Sequence, residues 1–337
     1  MQANERQHGN QELAKAAKPY PLKFRPEFKE RVWGARELAR FGFDLPEGNI
    51  GEAWMIGEHP NGTTTIDDGP LAGVRLDELR ERFGAEWLGA KGVSPKTGRF
   101  PLLIKLLDCS DDLSVQVHPN DEYERLGAGE LGKTEMWYVL DAKPGAKIIY
   151  GLREGVDRDA LAAAIAEGRI MDCLHEVPVT AGDTFYIPAG TVHALGAGVL
   201  VAEIQQNSDT TYRLYDYNRP GLDGKPRELH IEDSLNVIAY DGSGASSGKT
   251  DLTGDNDWLR IASSPYFVVE KGRVGGEWAL STSADSFHIL IACEGAGAVR
   301  WDGGEAPLAP GDCFLLPANL GAYTLTGSAT VLRSYIP

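Results

Sequence analysis

Residues 181–196 read AGDTFYIPAGTVHALG, and residues 310–325 read PGDCFLLPANLGAYTL. The shared frame is Gly-Asp-x-Phe-x-x-Pro-Ala. It describes a hairpin in which Gly-Asp turns, Phe packs inward and Pro ends the ladder before a loop. In the first copy that loop returns a histidine, His193. Upstream, YVLDAKPGAKIIYG (138–151) and LIACEGAGAVRWDG (290–303) form a second, looser pair. The repetition predicts two related β units. The first copy is the longer one. Its extra length falls on DRDALAAAIAE (157–167), an Ala-rich run that predicts a helix stopped by Gly168.

The texture around the repeat agrees. From Pro21 onward, short apolar runs are broken by Gly, Pro, Asn and Asp, which predicts a mostly β chain. Strands are expected within 100–107, 113–117, 136–140, 147–150, 184–187 and 199–204, and a helix over 76–83 that Trp87 and Leu88 continue. Residues 1–20 read as a polar tail. Residues 21–240 form the first unit, with a helical insertion near 152–176. The Gly/Ser-rich stretch 241–256 reads as a linker, and 257–337 form the second unit.

With 337 residues the chain is too long for one ordinary core, so a large and a smaller unit are expected. Its 49 acidic residues exceed its 33 basic ones, for a net charge of −16. That field repels nucleic acid and anionic lipid. An anionic substrate therefore needs a locally positive site. Four scattered cysteines without a CxxC read as reduced thiols. The N-terminus has no apolar signal core, and no apolar run is long enough to span a bilayer. A cytoplasmic location is expected.

Three segments carry candidate metal ligands. In LSVQVHPND (113–121), strand alternation puts Ser114, Gln116 and His118 on one face and Val115 and Val117 on the other. In GKTEMWYVL (132–140), Lys133, Glu135, Trp137 and Val139 share a face. Glu135 among apolar neighbours needs a partner, either a metal or Lys133. His193 is the third; a hydrogen-bonded core histidine is the competing reading. Together Gln116, His118, Glu135 and His193 offer two imidazoles and two oxygens, a set suited to one Zn²⁺ per chain and permissive for other divalent ions. Zn²⁺ with one carboxylate is net +1, which supplies the positive charge an anionic substrate requires. In the second copy Ala322 stands opposite His193 and Ser286 opposite Glu135, so that unit is expected to be degenerate and metal-free. A fourth segment, EIQQNSDTTYRLYDYNR (203–219), reads as a site wall. Arg213 can offer a bidentate fork to phosphate, and Glu203 is a candidate acid/base group. A structural pair of Arg213 with Asp209 or Asp216 is the alternative. His59, in WMIGEHPNG (54–62), reads as a turn residue.

The Gly-Asp-x-Phe-x-x-Pro-x-x-x-x-His frame resembles the second motif of the cupin superfamily, which implies jelly-roll barrels. QVHPND (116–121), GKTEMWYVL (132–140), PAGTVHALGAG (188–198), EIQQNSDTTYRLYDYNR (203–219) and the opening PLKFRPEFKERVWG (21–34) resemble type I mannose-6-phosphate isomerases, most of all the shorter bacterial branch. The resemblance implies zinc ligands at Gln116, His118, Glu135 and His193, an active-site serine at Ser114 and a lysine at Lys133. It also implies a catalytic arginine at Arg213 and an acid/base carboxylate at Glu203. The implied reaction interconverts mannose 6-phosphate and fructose 6-phosphate through an enediol. Two positions depart from the family pattern. Gly57-Glu58 stand where small residues such as Ser-Ala often precede His-Pro-Asn-Gly, and Leu195 stands where longer members carry Tyr. An isomerase or epimerase of another sugar phosphate is one competing reading, and a non-catalytic sugar-binding cupin is the other. Lys133, Glu203 and Arg213 beside a full ligand set speak against the latter, since a binding module needs no acid/base pair. Monomer and homodimer are both left open.

Overall fold

The computed structural model describes residues 18–242, 244–249 and 251–337. Its middle layer is a seven-stranded antiparallel sheet. Four of its strands are Ile50–Ile56, Leu102–Asp108, Glu135–Ala142 and Val199–Gln206. The first, second and last of these are buried along their whole length. They read as near-continuous apolar runs because both faces of the sheet are covered. On one face Met55, Ile104, Met136 and Ile204 pack against Phe267, Val269, Phe287 and Ile289 of the C-terminal unit. On the other, Leu107, Trp137, Val139 and Val201 pack against Leu113, Ile148 and Leu195.

The second face meets a five-stranded sheet with the order Leu174–Pro178, Lys147–Leu152, His193–Leu195, Val115–Val117, Tyr212–Tyr215. Two helices, Arg158–Ala166 and Ile231–Val237, cover its outer side through Leu161, Ala164 and Leu235. The expected helical insertion is thus a cover for this sheet. Its helix starts where the Asp157 side chain accepts from Ala160 N–H at 2.8 Å. It stops before Gly168, which adopts φ +70°.

The C-terminal unit is built on an eight-stranded sheet, two strands of which, Leu22–Arg25 and Thr65–Ile66, come from the first unit. Its long strands Val268–Ser281, His288–Trp301 and Ala322–Tyr335 enclose a second core around Trp278, Leu290, Phe314 and Val331. The chain is therefore mostly β with two jelly-roll units, as expected from the repeat. No helix among the described residues is long and apolar enough to cross a membrane.

Two boundaries differ from expectation. Within the stretch read as a linker, Ser246–Lys249 form a strand paired to Asp183–Ile187. Ser and Gly carry little strand preference, but the open edge of Asp183–Ile187 offers unpaired backbone groups, and pairing to them needs no particular side chain. Of the polar tail, residues 1–17 lie outside the described residues. Tyr20 is buried, with its ring edge-on to Trp87 and its hydroxyl donating to Asp68 O at 3.1 Å. The folded part thus begins before Pro21.

Candidate active site

The site lies between the central and five-stranded sheets. Strand register builds its floor. Glu203 stands opposite Lys105 on one neighbouring strand and opposite Trp137 on the other. Trp54 stands opposite Lys105, and Gln205 opposite Glu135. Alternation then separates apolar and charged residues on each strand. Ala202 and Ile204 face the C-terminal unit, while Glu203 faces inward. Lys105 Nζ lies 3.3 Å from Glu203 Oε1, an ion pair without hydrogen-bond alignment, and 3.7 Å from Glu52 Oε2. Trp137 Nε1 donates to Glu203 Oε2 at 2.8 Å, and Trp54 Nε1 to Glu52 Oε2 at 2.7 Å. Arg31 closes the row, with Nε 2.6 Å from Glu52 Oε1. Burial pushes Glu52 upward, but Lys105 and Arg31 outweigh it and hold it at about 2. Burial likewise opposes ionisation of Glu203, and Lys133 and Lys105 reverse that. Both carboxylates are ionised.

The facing sheet supplies the rest. His193 and Arg213 each stand opposite Gln116, from either side. His118, Glu135 and His193 converge, with their candidate ligand atoms within 4.8 Å of one another. His193 Nε2 is 3.2 Å from Glu135 Oε1, His118 Nε2 is 3.6 Å from Glu135 Oε2, and the Gln116 amide is 3.3 Å from His193 Nε2. Each imidazole donates Nδ1–H to a backbone carbonyl, His118 to Thr210 O at 2.9 Å and His193 to Thr191 O at 2.8 Å. This fixes the tautomer and leaves both Nε2 lone pairs aimed at the carboxylate. Burial keeps both rings neutral, with His193 lowered to about 4. Glu135 is fully buried, and its Oε1 has no hydrogen-bond donor. Burial, reinforced by Glu203, pushes its proton affinity up, and Lys133 opposes this. An orphaned carboxylate oxygen beside two imidazole lone pairs is an acceptor-only cluster that a divalent cation satisfies. Lys133 Nζ, 3.0 Å from His118 Nε2 and bonded to Glu135 Oε2, lies beside it.

A cleft of about 540 Å³ opens onto this cluster. Ser114, Gln116, Lys133, Glu203 and Arg213 all line it, together with Lys105 and Glu52. Arg213 Nε donates to Ser114 Oγ at 3.2 Å and Nη1 to Glu228 O at 3.0 Å. Asp216 is taken by Arg219 and Arg227, and Asp209 accepts from Asn61. The alternative ion pairs of Arg213 are thus not formed. Five of the eight residues singled out from the sequence line this cleft; His118, Glu135 and His193 do not line it and lie against Gln116 and Lys133, which do.

Lys105, Glu52, Arg227 and His230 were not anticipated, although a lysine inside the apolar run LLIKLLD was a visible signal for the first. The turn expected at His59 begins just after it: His59 ends the short strand Glu58–His59, its Nδ1 accepts from Asn61 N–H at 3.2 Å, and it is buried. The two departures lie off the cleft. A Cβ at Gly57 would fall 2.4 Å from Leu103 Cδ1, so glycine there matches the bulk of Leu103. Glu58 is held by the Arg80 fork at 2.9–3.0 Å, and Leu195 packs between the sheets. Among the described residues, no second cluster of metal-ligating side chains forms in the C-terminal unit.

Fold and site define a two-unit cupin with a candidate divalent-metal centre under a polar cleft. Residues 22–144 match the family described as "Phosphomannose isomerase type I, catalytic domain", and residues 259–336 match "Mannose-6-phosphate isomerase, cupin domain". Mannose-6-phosphate isomerase ManA of Bacillus subtilis is 42% identical over 325 residues, covering 94% of this chain and 99% of that protein. The mannose-6-phosphate isomerase of Streptococcus mutans is 38% identical, covering 94% and 98%. A crystal structure of the mannose 6-phosphate isomerase from Bacillus subtilis superposes with a TM-score of 0.77 at 38% identity, covering 94% and 99%. The chain belongs to the type I phosphomannose isomerase family.

Proposed function

We propose that this chain is a zinc enzyme that interconverts mannose 6-phosphate and fructose 6-phosphate, with its metal held by Gln116, His118, Glu135 and His193. The observation that carries the reading is the meeting of the ionised Glu203 and the fork of Arg213 on one cleft with Gln116 and Lys133, which touch the orphaned Glu135 cluster. When bound, the metal supplies a positive field for the oxygen charge that develops next to the reacting carbons.

The protein's own groups move the protons. Glu203 is ionised, and Trp137 holds one of its oxygens in place. It takes the C2 proton of the aldose while Lys133, as an ammonium, donates to the C1 carbonyl oxygen; the product is the enediol. A proton returned to C1, with loss of the O2 proton, gives the ketose. Arg213, fixed by Ser114 and the Glu228 carbonyl, orients the substrate. The location we assign is the cytoplasm, consistent with four free cysteines, three of them buried. A coupled assay for fructose 6-phosphate formed from mannose 6-phosphate, with and without chelator, tests the reading. Turnover that chelator abolishes and zinc restores is expected. No turnover with zinc present refutes it and favours a binding protein.

A further inference from the structure

The segment 216–230 closes one end of the cleft and contributes Gly221, Leu222, Arg227 and His230 to its lining. His230 is locked to Arg213 from both sides. His230 N–H donates to Arg213 O at 2.8 Å, and Arg213 N–H donates to His230 Nδ1 at 3.3 Å. A backbone N–H only donates, so Nδ1 is the acceptor and the neutral ring carries its proton on Nε2. His230 therefore brings a fixed N–H donor to the cleft.

Two guanidinium groups, Arg213 and Arg227, line this end of the cleft beside His230. Arg227 donates twice to Asp216, at 2.7 and 2.6 Å, and Arg219 donates twice to the same carboxylate, at 3.1 and 3.0 Å. Asp216 is 5% exposed, and Arg213 has no carboxylate partner among the described residues. Arg219 Nη1 also reaches the exposed Asp111 at 3.0 Å, so the three guanidinium groups have one buried and one exposed carboxylate among them. Burial and the nearness of Arg227 and Arg219 work against the Arg213 charge. Of the other carboxylates of the segment, Glu228 is 83% exposed, 4.0 Å from His230 Nε2, and Asp223, which also lines the cleft, is exposed and caps Lys225 N–H. The order across the sheet is His193, Gln116, Arg213 and then His230. With strands about 4.8 Å apart, Arg213 lies roughly two strands from the metal ligand His193. In a hexose 6-phosphate the reacting carbons and the phosphate occupy opposite ends of the carbon chain.

We propose that Arg227 and His230, with Arg213 between them and the metal cluster, form the phosphate-holding end of the cleft and set the preference for a phosphorylated sugar. This rests on the function proposed above. The test compares wild type with His230→Ala, His230→Gln and Arg227→Gln, measuring KM and kcat for mannose 6-phosphate and the inhibition constant of inorganic phosphate. His230→Ala and Arg227→Gln should each raise KM and the phosphate inhibition constant together, on the order of tenfold, with a smaller change in kcat. His230→Gln keeps an N–H donor and should recover most of the loss. In the wild-type holoenzyme, inorganic phosphate should move the His230 ring NMR resonances, which keeps the test open if a variant fails to fold. Unchanged phosphate inhibition in His230→Ala, or phosphate binding that leaves those resonances still, overturns the inference. A wild type that turns over no mannose 6-phosphate, yet shifts His230 on adding phosphate, overturns the function and leaves this anion site standing.

Discussion

Replacing Lys105 by Met keeps the length of the side chain and removes one buried charge from between two carboxylates. Arg31 still serves Glu52 at 2.6 Å. Glu203 keeps the Trp137 indole and the more distant Lys133, and loses its nearest cation, at 3.3 Å. Leaving one buried carboxylate without its partner costs about 3–5 kcal/mol. For a unit of this size that lowers the thermal midpoint on the order of 10 °C. The pH dependence has a definite sign. In wild type Glu52 is held at about 2, below its unfolded value, so its contribution is present above pH ~4.3 and is lost only as pH falls toward 2. In the variant, burial of Glu203 is opposed by Lys133 without Lys105, so its carboxyl rises and the penalty of keeping it ionised grows with pH through the acid range. The gap between variant and wild type is therefore widest at pH 7 and narrower at pH 5. Urea unfolding of both proteins in the same metal state measures it, with Trp54 and Trp137 as fluorescent reporters beside the substitution. A gap under about 1 kcal/mol at pH 7, or an equal gap at both pH values, refutes the assignment of Lys105 as the charge that holds this row together.

His193→Ala or Glu135→Ala should lower bound metal well below one per chain and abolish isomerase activity; metal analysis showing full zinc with normal turnover would contradict the ligand set. Arg213→Lys keeps the charge but loses the planar fork, and kcat/KM for mannose 6-phosphate should fall about 30-fold or more. A loss of only a few-fold makes Arg213 structural. Anomalous scattering from zinc-loaded crystals should show no second ion near His288, Ser286 or Ala322.

Alternation alone placed Ser114, Gln116 and His118 together, and Lys133 with Glu135 and Trp137, because a strand's two faces follow from residue number. The repeated Gly-Asp-x-Phe-x-x-Pro-Ala frame likewise marked two β units. The row Glu52–Lys105–Glu203 was not legible in the same way. Lys105 stands in an apolar run whose local pattern reads simply as a buried strand. Only the register that sets Lys105 against Glu203 shows that its neighbours are carboxylates. The strand Ser246–Lys249 was missed for a related reason: its stability comes from the edge it joins and not from its own side chains. His230 carries no motif, and its role depends on a reciprocal backbone lock to Arg213.

The strand Leu22–Arg25 pairs not with its own unit's central sheet but with Cys313–Leu316, placing Leu22 opposite Leu315, and it joins Thr65–Ile66 on its other side. Among the described residues, an early strand thus waits for a late one. Until Cys313–Leu316 is made, one edge of Leu22–Arg25 has no partner strand. A nascent chain paused anywhere between the two carries that exposed seam. The interval during which this seam stays open is therefore set by the time needed to translate the stretch between these two strands.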